Sequence, residues 1–233
     1  MRRATFILWF SVALISRAGD LNFESAPHRT HLIELFTSQG CSSCPPAEAW
    51  LSKLKSEPRL WQDFVPLAFH VDYWDRLGWR DPFASKEWTA RQYQYSANWK
   101  SESVYTPGFV LDGHEWSGRS IPPPSTDKPG VLKLTIANQT MTGEFVPMNG
   151  GTKDVDLHVA LLAFDINTKI TAGENSGRNL LQDFVVLSLT NQKIADGKAE
   201  ISFKVDSRAR AIAAWITGPN QIEPIQAVGG WLK

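Results

Sequence analysis

The chain has 233 residues with 24 basic and 24 acidic side chains, so its formal charge is zero and no basic face for nucleic acid is indicated. Its length suits two modest domains better than one. Two cysteines exclude a disulfide framework and supply half of a closed zinc site, and the histidines (His28, His31, His70, His114, His158) show no short ligand spacing that would complete it.

In chain order, Met1-Arg2-Arg3 is basic, Ala4 through Ile15 is largely apolar, and Ser16-Arg17-Ala18 places small residues at the −3 and −1 positions of a cleavage site. That pattern predicts a secretory signal peptide over residues 1–18, with an uncleaved anchor as the competing reading. No other stretch is apolar enough to span a bilayer, so the mature chain is expected in the periplasm or outside, free of the membrane. Losing three arginines and no acid makes it mildly acidic, and thiols there can be oxidised.

Leu32-Ile33-Glu34-Leu35-Phe36 reads as a strand buried on both faces, broken by Thr37-Ser38-Gln39-Gly40. Ala47, Trp50, Leu51 and Leu54 then recur at helical spacing until Pro58. Cys41 and Cys44 thus fall at or just before the first turn of a helix, where unpaired N–H groups and the helix dipole favour a thiolate. Cys41 is the expected nucleophile, and Cys44, three positions on, the resolving thiol. A structural disulfide is the competing reading, although closing so short a loop stabilises little.

Phe64–Val71 reads as a second buried strand, parallel to the first across the intervening helix. The aromatic, charged stretch Asp72–Arg80 reads as a loop, and Asp81-Pro82 as the N-cap and first residue of a helix running to about Trp99. His70 and Asp72 at a strand end are candidates for a site, His70 as a proton carrier or metal ligand, and Trp74 and Trp79 for the walls of a substrate groove. Val104–Gly113 is a strand opened by Thr106-Pro107, with Glu115-Trp116-Ser117 as its return.

This order of strand, Cys-x-x-Cys helix, strand, helix and Thr-Pro strand resembles the thioredoxin fold. The resemblance implies that Thr106-Pro107 is a cis peptide beside the disulfide, that the Thr106 backbone pairs with an extended substrate, and that an acid beneath the cysteines moves protons. Glu34, the single acid of the preceding strand, is the candidate, with an edge-facing solvated side chain as the alternative. More closely, Glu34–Glu48, Phe69–Asp75, Gly78-Trp79, Asp81–Ala84, Gly173–Arg178 and Ala213–Ile216 resemble a family of secreted thioredoxin-like proteins, domain of unknown function 1223. Gly40 stands where thioredoxins carry tryptophan, and Ser42-Ser43 where they carry Gly-Pro.

Beyond the proline-rich run 121–130, a stiff linker by composition, seven β-like runs separated by turns predict a sandwich. They are Val131–Ile136, Met141–Val146, Val155–Phe164, Phe184–Leu189, Ala199–Val205, Arg210–Ile216 and Ile222–Val228. Gly173–Arg178 reads as a loop between strands. The expected architecture is an α/β thioredoxin-like domain over 28–120 followed by an all-β, sandwich-like domain over 131–233. The first functional reading is an exported thiol–disulfide oxidoreductase working on a protein or small-thiol partner with no organic cofactor. Two alternatives stay open: a copper-handling protein using Cys41, Cys44 and His70, and a binding module with an inert disulfide.

Overall fold

The computed structural model describes residues 20–118, 120–137, 140–148, 150–202 and 206–232. The predicted signal peptide lies outside the described residues. In chain order the elements are β1 (Leu21–Glu24), β2 (His31–Thr37), α1 (Pro45–Lys53), β3 (Phe64–His70), α2 (Lys86–Asn98), β4 (Gly108–Leu111) and β5 (His114–Trp116). There follow β6 (Gly130–Ala137), β7 (Thr140–Pro147), β8 (Val155–Ala163), β9 (Ile166–Lys169), β10 (Asn179–Gln182), β11 (Val185–Ile194), β12 (Lys198–Ser202), β13 (Ala211–Thr217) and β14 (Pro224–Trp231).

The expected pairing of an α/β thioredoxin-like domain with a separate all-β domain is not what forms. Strands dominate, with two α-helices against fourteen strands among the described residues. The strands of both halves share one eight-stranded mixed sheet, ordered β14-β13-β8-β11-β3-β2-β4-β5, and β1, β6, β7 and β12 form a second sheet. The junction is β11 beside β3, a short parallel pairing at Val185 and Ala68, held also by the Ala68 N–H donating to the Phe184 carbonyl at 2.8 Å.

The physical reason is the strand pattern. All seven residues of β13 are buried, so both of its faces need cover. Ala211, Ala213 and Trp215 face the core built on β2 and β3, whereas Ile212, Ala214 and Ile216 face the second sheet through Leu132, Leu134, Met141 and Phe145. β8 divides the same way, with Val155, Leu157, Val159 and Leu161 toward the second sheet and Ala160 and Leu162 toward the first core. A strand alternating between two apolar neighbours belongs between them. The proline-rich run 121–130 is strapped back: the Pro122 carbonyl accepts from Arg59 Nη1 at 3.2 Å and the Asp127 carbonyl from the Arg29 N–H at 2.8 Å.

β2 and β3 pair in parallel from His31↔Phe64 to Thr37↔His70, and α1 supplies the crossover. Because side chains alternate along β2, Ile33, Leu35 and Thr37 face α1, whereas Glu34 and Phe36 face α2. The second helix begins later than its sequence pattern indicates, at Lys86, capped by Ser85 Oγ accepting from the Glu87 N–H at 3.1 Å. Asp81, expected as that cap, is drawn instead into the site below.

One glycine of the second sheet makes a direct test. Gly130 opens β6 at φ +130°, and a Cβ there would lie 2.3 Å from the Val146 carbonyl oxygen and 2.7 Å from Pro147 Cα. Both obstacles are backbone and cannot rotate away. Gly130→Ala is expected to lower stability by roughly 1–3 kcal/mol. Urea denaturation should show the loss as a lower midpoint at unchanged slope.

Candidate functional site

The site is assembled at the end of β2. Pro45 takes the first position of α1, where a missing N–H costs nothing, and Cys44 is its N-cap residue. Cys41 and Cys44 form a disulfide with Cα atoms 5.4 Å apart. Beside it the Thr106-Pro107 peptide is cis. Ser43 Oγ lies 3.4 Å from Cys41 Sγ and 3.5 Å from the Thr106 carbonyl oxygen, joining the two stretches.

Trp74 and Trp79 both reach this region. Trp74 Nε1 donates to Thr106 Oγ1 at 2.8 Å, and Trp79 Nε1 to Gln39 Oε1 at 3.0 Å. A Cβ on Gly40 would stand 3.0 Å from Trp74 Cβ, so the glycine before Cys41 makes room for a tryptophan from the loop. Asp72 does not join them. Its Oδ1 accepts from Thr89 Oγ1 at 2.6 Å, tying the loop to α2.

Both cysteines have 0% exposure, so neither sulfur of the bridge is open to solvent. The loop Gly173–Arg178, between β9 and β10, closes over them from the far half of the chain. Asn175, itself buried, donates through Nδ2 to the carbonyls of Gln39 and Cys41, each at 2.9 Å, and Glu174 Oε2 accepts from the Ser42 N–H at 3.1 Å. On the opposite side, Ser43, Pro46, Trp50, Tyr105, Pro107 and Trp116 line an open groove of about 440 Å³. Tyr105 remains 51% exposed at its lip.

A buried polar cluster joins α1, the end of β2 and the loop before α2. Glu48, one turn into α1, accepts through Oε1 from Thr37 Oγ1 at 2.7 Å and from Gln182 Nε2 at 2.9 Å. Helical side chains lean toward the N-terminus, which carries this carboxyl toward Cys44. Asp81 Oδ2 accepts from the Gln39 N–H at 2.8 Å and pairs with His70 Nδ1 at 2.7 Å. His70 Nε2 is buried with no hydrogen-bond partner.

Glu34, read from the sequence as the proton-moving acid, lies on the other face of the sheet. There Arg91 grips it bidentately, Nε to Oε2 at 2.6 Å and Nη2 to Oε1 at 3.0 Å, with Tyr95 donating to the same carboxylate. Glu48 occupies the place expected for Glu34. Cys44, Glu48 and Leu51 recur at spacings of four and three, so the helical pattern could have assigned Glu48 to the inner face.

The three buried titratable groups are shifted by one another. Burial raises Glu48 above the usual carboxylate value, against the pull of His70 and the hydrogen bonds from Thr37 and Gln182. Burial alone would lower His70, but the charge and hydrogen bond of Asp81, with Glu48 behind them, outweigh it and hold the imidazole above its ordinary value. Asp81 is lowered: burial opposes this, and the charge and hydrogen bond of His70 prevail.

These directions fix a pH dependence. Glu48 and His70 both bind their protons more tightly folded than unfolded, so their stabilisation is complete below their ordinary values of 4.5 and 6.5 and is lost as pH rises through the folded ones. Asp81 contributes above 3.8 and loses its share as pH falls. Stability should therefore decline between about pH 5 and pH 8, and Glu48→Gln should remove part of that slope and raise stability at pH 8. Denaturation midpoints of both proteins at the two pH values decide it.

Among the described residues no group of three or more His, Cys, Asp or Glu side chains is arranged to hold a metal ion, and His70 Nδ1 is engaged by Asp81. No described helix is long and apolar enough to cross a membrane.

A capped Cys-x-x-Cys disulfide at a helix start, set at the end of parallel strands in a mixed eight-stranded sheet, defines the class. Within it, the chain belongs to the family described as protein of unknown function (DUF1223), whose model matches residues 32–216. A crystal structure of a protein from Agrobacterium tumefaciens is similar, at 25% identity and a TM-score of 0.65, covering 87% of this chain and 93% of that one. HBP35 of Porphyromonas gingivalis shares the fold at 17% identity and a TM-score of 0.55, over 88% of this chain and 76% of its own. No curated protein matches the chain.

Proposed function

We propose that the protein is an exported thiol–disulfide oxidoreductase whose redox centre is the Cys41–Cys44 pair, with a protein or small thiol as its partner. The observation that carries this reading is the burial of Glu48, one turn after Cys44 on α1, and of His70, paired with the Asp81 that holds the Gln39 N–H, beside a disulfide that closes only a three-residue step. Such a bridge contributes little stability through loop closure. Burying a carboxyl and an imidazole with an unpaired nitrogen opposes stability, and perturbed titratable groups gather where protons must be moved.

In this reading Cys41, at the start of the helix, is the attacking sulfur and Cys44 the resolving one, with Glu48 taking or giving the Cys44 proton. Thr106 and Pro107 border the place where the partner's chain lies, and Trp74 fixes Thr106. His70 and Asp81 hold the charge balance around Glu48.

The test is thiol exchange. The oxidised protein is equilibrated against glutathione redox buffers and its thiol content is read by alkylation and mass. A midpoint within the range of working oxidoreductases, about −120 to −270 mV, is expected. A bridge that stays intact below about −300 mV is a structural one and sinks the proposal.

A further inference from the structure

The chemistry above does not use Glu174, yet the fold brings it across the sheet to the helix start. The segment is pinned at its base, where the Ile170 N–H donates to the Arg178 carbonyl and the Gly177 N–H to the Ile170 carbonyl, both at 2.9 Å. Asn175 clamps the carbonyls of Gln39 and Cys41, and Arg178 Nη1 donates to Asn175 Oδ1 at 3.1 Å. Glu174 is exposed and charged, as Arg178 is, but it carries the opposite sign and reaches the Cys41–Cys44 turn. Its Oε2 takes the Ser42 N–H, whose nitrogen is four covalent bonds from Cys41 Sγ.

That placement has an electrostatic consequence. The Ser42 N–H, in the turn just before α1, is the backbone donor next along the chain from Cys41 that could steady a thiolate there, and a carboxylate already occupies it. A like charge this close disfavours a second negative charge, whether it develops on Cys41 or arrives on an incoming thiol. We propose that Glu174 is a specificity-determining residue of the redox centre, selecting neutral or cationic thiols and disulfides over anionic ones. This inference rests on the oxidoreductase reading and names the substrate class of the same site.

The step concerned is the reduction of the bridge. A thiolate attacks one sulfur of Cys41–Cys44, a new S–S bond forms as the old one breaks, and the displaced cysteine leaves as a thiolate. A second external thiolate then attacks the mixed disulfide, releasing the external pair as a disulfide and leaving the protein dithiol. Two electrons pass from the two external thiols to the protein, and the protein thiolates take up the protons. Negative charge enters beside Glu174 at each attack.

The experiment compares wild type with Glu174→Gln, in which the amide oxygen still accepts from the Ser42 N–H and the lid keeps its anchor. The oxidised proteins are reduced by 2-mercaptoethanol, a neutral thiol, and by 2-mercaptoethanesulfonate, an anionic one. The ratio of anionic to neutral rate is expected to rise about threefold to tenfold in Glu174→Gln at low salt, with a smaller rise at 1 M salt. In parallel, both proteins are reduced with a phosphine in urea and returned to buffer, and thiolate formation is followed by ultraviolet absorbance against pH. The first thiol is expected to ionise about half a unit to one unit lower in the variant.

The elements around the bridge also contribute Glu48 from α1, His70 from β3, Asp81 from the aromatic loop and Arg178 from the lid, and the substitution changes none of these. An unchanged rate ratio together with an unchanged thiol titration overturns the inference and leaves Glu174 as a lid anchor. A bridge that neither thiol reduces in either protein sinks the oxidoreductase reading instead, while the titration of the phosphine-reduced proteins still decides the role of Glu174.

Discussion

Arg91→Met is expected to lower the stability of the fold by about 3–5 kcal/mol, the cost of leaving a buried charge without its partner. Arg91 is buried on α2 and meets Glu34 through two hydrogen bonds, while its guanidinium lies 5.1–5.4 Å from the ring centres of Phe69, Tyr95 and Trp215. Replacing it leaves the Glu34 carboxylate with Tyr95 alone, on the inner face of a central strand. For a chain of this size the loss corresponds to a fall in melting temperature of roughly 6–20 °C. The double variant Glu34→Leu/Arg91→Met should recover much of it, since two apolar side chains demand no compensation. Calorimetry of the three proteins checks both statements. A single-variant loss below about 1 kcal/mol would mean that water reaches the pair.

The same variant separates stability from chemistry. Glu34 and Arg91 sit on the α2 face of the sheet and Glu48 on the α1 face, so the thiol chemistry of folded Arg91→Met should match wild type. That separation corrects the most consequential misreading of the sequence. A lone acid in a buried strand is compatible with either face, and only the pairing of β2 with its neighbours, with Thr37 turned to Glu48, assigns Glu34 to the other side.

Other parts of the site were legible for a definite reason. Cys41, Cys44, Pro45 and the apolar spacing after them all report one local event, the start of a helix, and local events are written contiguously. The loop carrying Trp74 and Trp79 was legible as aromatic and irregular, which matches its work of reaching Thr106 and Gln39. Asp81 followed by Pro82 looked like a helix cap because an aspartate accepting from the N–H two residues on serves in a turn as well, and Oδ1 does accept from the Phe83 N–H at 2.9 Å. The roles of Gln39, Gln182 and Asn175 were not legible, although the stretches Glu34–Glu48 and Gly173–Arg178 stand out in the sequence. Each matters through partners far along the chain, and neutral amides carry no spacing signal.

The architecture failed to emerge for a related cause. Each of the seven β-like runs of the second half overlaps a strand, with residues 203–205 of the fifth run outside the described residues, yet a run's sequence does not say which sheet it joins. β13, and β8 from Val159 on, are apolar on both faces, a pattern that also fits the middle of a parallel α/β sheet. Their partners turn out to be a second sheet on one side and the first core on the other. The hairpin β9–β10 reads as loop because only Leu180 and Gln182 of its second strand are buried, and that hairpin carries the lid.

The largest functional effect is expected from the cysteines themselves, and the two variants should fail differently. In the proposed reaction with a disulfide substrate, the Cys41 thiolate would attack one substrate sulfur and expel the other as a thiolate, giving a mixed disulfide at Cys41. Cys44 would then pass its proton to Glu48 and attack Cys41 Sγ, releasing the second substrate sulfur and leaving protein bridge and reduced substrate. Cys41→Ser removes the attacking atom, so exchange should drop to the uncatalysed background with no adduct. Cys44→Ser removes the resolving atom, so an adduct of one substrate half should accumulate on Cys41 and be visible by mass under non-reducing conditions. Glu48→Gln keeps both sulfurs but loses the acceptor for the Cys44 proton, and mutational losses of such proton-transfer groups run to about 10²–10⁴-fold. Its defect should therefore appear as a slower decay of the same adduct, easing as pH rises and Cys44 ionises without help. Adduct formation through Cys44 with Cys41 inert would reverse the assignment of the two sulfurs. Equal and complete silence of both single variants and wild type would reduce the pair to a bridge beneath a lid.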